Sequence, residues 1–497
     1  MSSAEKSRPP LFALDLRALA LFRMAMGALV LLDIVLRSRD LQAFYGDDGM
    51  LSRALYFEQA WEWTGYHLFL ASGSTAGLLA LFAVWATAAA CLMLGYQARL
   101  AGFITWYFVA SIQLRNPMVM DGGDDLMRLL LFWTPFLPLS ARWSVDSRNH
   151  PEWAGLPNAY RSVATVGLAL QFFVLYLFAA LLKSGDDWLV TGDALYYSLS
   201  IDQFATGLGK MLLGFPDILP VLTRAALGLE YLLAALLLLG AGIPLARTAF
   251  YILAVSFHLA IAATLNFGIF MVVAIAGLTA FFPTSWLDRL APQRDEAPTA
   301  SLPPAYRLAW WTQLFCASIL LVIAIYNAYS RDHGHKIPSW TRTISNLTFE
   351  QQHWHFFAPN PFKDDGWFVL EVTTENGAVV DGWGMGEEPV GGKPGHGASR
   401  FPNQRWRRWL QNLTQIDIPD KESWRRSTLE YVARKWQKAN PTAHPRLFRL
   451  VLMQEITPAP GGQASVKRVV LAEHAPPKPP QEMQVPKVAN TPPLPQE

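Results

Sequence analysis

Lys183 closes an apolar run from Gln171 to Leu182, and Ser184-Gly185-Asp186-Asp187-Trp188 follows it directly. A lysine at the mouth of a membrane span usually anchors it, with the stem in hydrocarbon and the ammonium among head groups. Two acids and a tryptophan next to it suggest a reactive site instead. Low dielectric disfavours an ammonium, and a lysine held neutral acts as a general base. Residue types and position leave both roles open.

Other ionisable residues sit at membrane depth, where each is expensive and so raises a functional question. Arg23 and Asp33 share the first apolar run. Their spacing puts them about 80° apart around a helix and roughly 15 Å apart along it, too far to pair, so each is expected to meet a neighbouring helix. The most polar patch near any span is Arg115-Asn116-Pro117-Met118-Val119-Met120-Asp121-Gly122-Gly123-Asp124-Asp125-Leu126-Met127-Arg128. Gly122-Gly123 permits backbone conformations closed to other residues, and Asp124 and Asp125 would be stabilised at a helix N-terminus. The patch reads either as a helix cap laced with ion pairs or as the lining of a substrate cavity. Metal binding is disfavoured there, because no histidine is near and the arginines compete for the acids. His258 lies mid-span, either as a hydrogen-bonded core residue or at a site, and Asn266 and Gly268 let irregular backbone line a cavity. Glu230, with Arg224 nearby, is a similar case.

Two His-x-His pairs, His333/His335 and His353/His355, would each share one face of a strand, yet no clear third ligand accompanies them. Arg405-Trp406-Arg407-Arg408-Trp409 and Trp424-Arg425-Arg426 are basic and aromatic. They read as helices whose tryptophans enter a small core, or as a surface for anionic lipid or an acidic polypeptide.

The elements that position these residues belong to a membrane protein. Of 497 residues, 52% are hydrophobic and only 16% charged, against roughly a quarter charged in soluble domains. A formal charge of +2 gives no basis for nucleic-acid binding. Cys91 and Cys316 both fall in apolar runs, so neither a disulfide framework nor a zinc site is suggested. The first run lacks a small-residue cleavage site and is expected to stay as a membrane helix. The chain predicts about nine spans of roughly 20 residues. The first five are Ala18 to Leu36, Thr75 to Leu94, Leu100 to Leu114, Leu126 to Leu139 and Tyr160 to Leu182. Ile218 to Leu239, Ala246 to Leu265, Phe267 to Phe282 and Leu308 to Tyr326 follow. An odd number places the termini on opposite sides. The excess of arginine in alternate loops (Arg99, Arg142, Arg148, Arg161, Arg247, Arg289) puts the N-terminus in the cytoplasm and the C-terminal region outside it.

The expected division is a cytoplasmic segment 1–17, a helical membrane domain 18–290, a linker 291–307 and a last span 308–329. An extracytoplasmic α+β domain then covers 330–475 and a proline-rich disordered tail 476–497. Within the α+β domain, strands are predicted at Trp367 to Val372, Arg446 to Glu455 and Ser465 to Ala472, with a hairpin turn at Asn376-Gly377. Helices are predicted at Asn403 to Leu413 and Ser423 to Lys438. No inverted repeat supports a transporter.

Taken in order, Arg115-Asn116-Pro117, Asp121 to Arg128, Leu182-Lys183 before Trp188, and Phe257-His258 with Asn266-Phe267-Gly268-Ile269-Phe270 resemble the HTTM domain, the family that includes the vitamin K-dependent γ-carboxylases. His353-Trp354-His355-Phe356-Phe357-Ala358-Pro359-Asn360-Pro361 is similar to the segment after the last span of bacterial members. The resemblance implies an integral enzyme of the bacterial inner membrane that needs no metal. In those carboxylases a lysine deprotonates a reduced quinone (vitamin K or menaquinone hydroquinone), which reacts with O2 to give a strong base and an epoxide. That base removes a γ-proton from glutamate in a peptide or protein, and CO2 adds. By this resemblance Lys183, placed before Trp188, is the catalytic lysine. Arg115, Asn116, Asp121, Asp124, Asp125, His258 and Asn266 would line the cavity with Trp188. The carboxylases carry a histidine in the loop that here reads Gly123-Asp124, and nothing here matches the propeptide-binding part of the animal enzymes. Epoxidation is thus better supported than protein carboxylation. The competing reading is a non-catalytic membrane partner in the maturation or export of a peptide or protein.

Overall fold

Asp15 starts the first long helix by accepting the Arg17 N–H on its side chain, and α1 (Leu16–Ser38) then runs almost wholly apolar. Ser74 caps α2 (Thr75–Leu94) in the same way, and Gly95 ends it in the left-handed conformation, φ 73°. These two helices lie so close that a Cβ on Gly27 would stand 2.6 Å from that of Met93. The bundle continues through α3 (Ala98–Arg115), α4 (Gly122–Phe132), α5 (Val163–Leu182), α6 (Leu219–Leu239) and α7 (Pro244–Thr264). It closes with α8 (Phe270–Leu278) and α9 (Trp310–Ser330). The computed structural model describes residues 10–58, 67–291, 307–330, 337–383, 390–394, 401–415 and 420–476. Expectations for the first nine residues, His333 and His335, most of the 291–307 linker and the tail beyond 476 lie outside the described residues.

Among the described residues, six helices (α1, α2, α5, α6, α7 and α9) are long and apolar enough to cross a membrane. A seventh crossing is available if Phe270–Phe281 and Thr284–Leu290, bent by 81°, form one span. The expected nine spans are not confirmed by this count. The predicted fourth span is α4, whose 11 residues cover only about 16 Å of a hydrocarbon layer roughly 30 Å thick. Most of α4 is buried inside the protein, where apolar residues are wanted for packing. The third, α3, carries Arg99, Gln113 and Arg115 along its 18 residues.

The C-terminal region follows the sequence closely. After α10 (Ser339–Thr348), strands β1 (Asp364–Thr373), β2 (Val379–Asp381), β3 (Leu447–Ile456) and β4 (Ser465–His474) form an antiparallel sheet in the order β2-β1-β3-β4. Alternation along the strands sends Leu370, Val372, Phe448 and Leu450 into the main core and Trp367, Val369 and Val451 into a smaller one. Helices α11 (Gln404–Gln415) and α12 (Lys421–Ala439) complete the domain. Trp406, Trp409 and Trp424 are buried, and Trp409 Nε1 donates to Thr428 Oγ1 at 3.0 Å. The tryptophans of the basic stretch therefore pack in the core.

Candidate functional site

The chain leaving α10 does not run straight into the sheet. Residues 349–362 turn back into the bundle, where polar groups of the membrane domain hold them. Arg128 donates to the carbonyls of Phe349 and Gln351, both at 2.8 Å. Gln171 of α5 donates to Glu350 at 3.2 Å, and Gly185 N donates to Pro359 O at 3.0 Å. Trp188 Nε1 donates to Phe357 O at 2.9 Å. Irregular backbone survives inside a bundle only when its polar groups find partners in this way. Burial also pushes the Glu350 carboxyl well above the usual range.

Between this segment, α3, α4 and α11 lies a cavity of about 1100 Å³. Its walls include Trp106, Phe204, Phe267, Phe270, Phe356 and Phe357, and its polar groups include Asp121, Asp125, Arg128, His353, Arg407 and Arg408. Aromatic walls with a few charged groups are the ordinary make-up of a small-molecule site. His353 shares a 3.2 Å hydrogen bond with Tyr326, and its ring lies 6.3 Å from that of His355. Among the described residues, no three His, Cys, Asp or Glu side chains are grouped to hold a metal ion.

Asp121 and Asp125, two of the expected lining residues, do face this cavity. Asp125 pairs with Arg128 at 2.9 Å. Asp121 caps α4 through Oδ1, while its buried Oδ2 has no protein partner. Burial, with the neighbouring Asp124 carboxylate, pushes Asp121 up to about 7. Gly122 and Gly123 are helical, so their role is close approach and not unusual backbone geometry. A Cβ on Gly123 would meet Phe270 N at 2.7 Å, and one on Gly122 would meet the Phe356 ring at 2.6 Å.

Lys183 is buried and lies outside the cavity lining. Its Nζ donates to both Glu230 carboxylate oxygens at 2.8 Å and to Ala179 O at 2.9 Å. It also lies 5.2 Å from the Trp188 ring, so Trp188 and Phe357 link it to the cavity wall. A buried ion pair with a carbonyl as third partner is a different object from an anchor reaching for head groups. His258 is likewise one ring removed: Nε2 shares a 2.9 Å hydrogen bond with Tyr176, and its ring meets Phe270 at 5.9 Å. Tyr176 lies on α5 and Lys183 caps the end of that helix, seven residues further along the chain. Glu230 pairs with Lys183 and not with Arg224, which donates to Val190 O at 3.1 Å.

The remaining expected lining residues hold the scaffold. Asp124 turns away from the cavity into a closed cluster with Asp33, Arg37 and Arg405. Arg37 donates to Asp33 at 2.6 Å and to Asp124 at 2.5 Å, and Arg405 donates to Asp33 at 2.5 Å and to Asp124 at 3.3 Å. Four opposite charges satisfy one another there, which corrects the cavity role for Asp124. Arg115 donates to Tyr45 O at 3.0 Å and Leu51 O at 2.8 Å, and Asn116 to Phe44 O at 2.8 Å, so both pin the 44–51 loop. Asn266 offers its carbonyl to Arg407 at 2.8 Å. The arginines of α11 thus stitch the sheet domain to the bundle. Arg128 belongs to the polar patch already read as a possible cavity lining, whereas segment 349–362 and the α11 arginines are cavity elements that sequence spacing did not assign. The histidines of that segment and the excess of arginine were the available signals.

Comparison with known proteins places the membrane part. The model of the HTTM domain matches residues 13–286. Sporulation-delaying protein SdpB of Bacillus subtilis (strain 168) is 24% identical over 189 residues, covering 37% of this chain and 55% of SdpB. The match thus spans about half the length of that relative. No solved structure matches the chain. With more than half of its residues under that one family model, and with membrane-length helices throughout the matched region, the chain belongs to the HTTM domain family.

Proposed function

We propose that this protein is a membrane enzyme that takes a proton from a reduced quinone, with Lys183 as the base and O2 as co-substrate. The observation that carries the reading is the buried Lys183–Glu230 pair backed by Trp188. Moving one proton from Lys183 to Glu230 leaves a neutral amine beside a neutral acid without changing the net charge, so the pair can present a base inside an apolar bundle. A reduced quinone, when bound, supplies an acidic hydroxyl on a flat ring, and the walls formed by Phe204, Phe267 and Phe357 suit such a ring. Access to Lys183 requires Trp188 or Phe357 to swing aside. The N-terminus is cytoplasmic in this reading and the sheet domain extracytoplasmic, as in a bacterial inner-membrane protein. A glutamate-bearing peptide with CO2 would be the acceptor if carboxylation is coupled.

Purified protein given reduced menaquinone or vitamin K and O2 should form epoxide, and Lys183→Ala should abolish it. Wild-type protein that forms no epoxide with either hydroquinone sinks the proposal. A second reading is a non-catalytic membrane partner in peptide or protein maturation or export; the likeness to a sporulation-delaying protein does not itself point to a carboxylase. That reading expects Lys183→Ala to be tolerated, with a stable complex recovered by co-purification of the wild-type protein.

A further inference from the structure

The charges lining the cavity do not balance. Among the described residues, Arg128, Arg407 and Arg408 stand against Asp121 and Asp125, three cations to two anions. Asp125 is committed to Arg128. Arg407 is 4% exposed, and its Nη1 donates to Gln203 O at 3.0 Å and Asn266 O at 2.8 Å. Its Nε has no partner, and the guanidinium lies 4.6 Å from the centre of the Phe204 ring. Burial pushes Arg407 down to about 10. Its neighbour Arg408 donates from Nε to Met120 O at 2.9 Å and has no ion-pair partner among the described residues. A buried guanidinium without a counter-ion is costly, and a carboxylate or phosphate meeting its fork offsets that cost. The cavity wall also reaches the outside of the bundle through Phe103 and Leu347, 50% and 58% exposed. That apolar rim stands on α3 and α10, and exposed apolar side chains at a cavity mouth suit an apolar ligand.

We propose that the cavity takes an amphipathic anion from the bilayer, with its carboxylate or phosphate head between Arg407 and Arg408. Its apolar chain lies along Phe204, Phe267 and Phe357, whose rings are 5.3 to 5.9 Å apart. The inference uses the same cavity as the quinone reading and requires no step at Lys183.

The test uses the full chain in phosphatidylcholine nanodiscs, with dansyl-labelled undecanoic acid and its methyl ester as probes. The acid should bind saturably and the ester about tenfold more weakly, equivalent to about 1.4 kcal/mol. Arg408→Gln should weaken the acid by a similar factor and leave the ester unchanged, while Arg408→Lys should retain most of the binding. Arg408 carries the test because Arg407 also holds two carbonyls of the bundle. Phosphatidylglycerol in the disc should displace the probe. Displacement by inorganic phosphate but not by phosphatidylglycerol overturns the bilayer source. Equal binding of acid and ester, or unchanged binding by Arg408→Gln, overturns the site. Because the readout is binding, an epoxide assay that fails while the probe binds removes only the quinone proposal.

Discussion

In the cluster of Asp33, Arg37, Asp124 and Arg405, each buried charge meets an opposite one, and the chain segments involved come from α1, α4 and α11. Around the cavity, among the described residues, Arg407 and Arg408 of α11 feel Asp121 without a direct ion pair, and Asp121 keeps a buried oxygen unpartnered. The Lys183–Glu230 pair stands between these extremes, closed on itself yet a single aromatic layer from the cavity. The contrast teaches how one polar loop can serve both ends. Asp124 and Asp121 cap the same helix start, but Asp124 completes a neutral brace while Asp121 faces open space. Full satisfaction marks a scaffold; leftover valence marks a place for a ligand.

The sharpest break would come from opening the closed cluster. Arg405→Met leaves Asp33 and Asp124 with one guanidinium between them and should cost about 3–5 kcal/mol, seen as loss of monodisperse protein or a large fall in thermal midpoint. If stability barely moves, the brace is not what joins the two domains. Next in size, Lys183→Met should lower epoxide formation about 100-fold or more. The double change Lys183→Met/Glu230→Gln should recover stability but not activity; recovery of activity would make the pair a brace like the first. Gly123→Ala places a methyl against Phe270 backbone and should cost about 1–3 kcal/mol by overpacking, measured by denaturation in detergent. The smallest effect is a slope with pH. A carboxyl raised in the folded state binds more protons there, so the stability Asp121 contributes is complete below its unfolded value near 3.8 and fades as pH rises through about 7. Asp121→Asn keeps a helix cap and should flatten that slope in melts taken from pH 4 to 8.

Sequence alone was enough for the membrane class, because long apolar runs with few charges match the thickness of a bilayer. It also placed the sheet domain's strands and paired helices, whose signals are local: alternation, the Asn376-Gly377 turn, and tryptophans at helical spacing. Lys183 and Glu230 stood out as single charges in apolar runs for the same reason. Their partnership was not legible, since it joins helices 47 residues apart, and periodicity says nothing about which faces meet. Nor was the division of labour between Asp121 and Asp124, because packing alone settles which side of a helix start faces open space. Tertiary structure alone decided that segment 349–362 would re-enter the bundle and line the cavity. Its backbone groups are satisfied by Arg128 and Trp188, partners more than 160 residues away, and hydrogen bonds over that distance exist only after the helices have met.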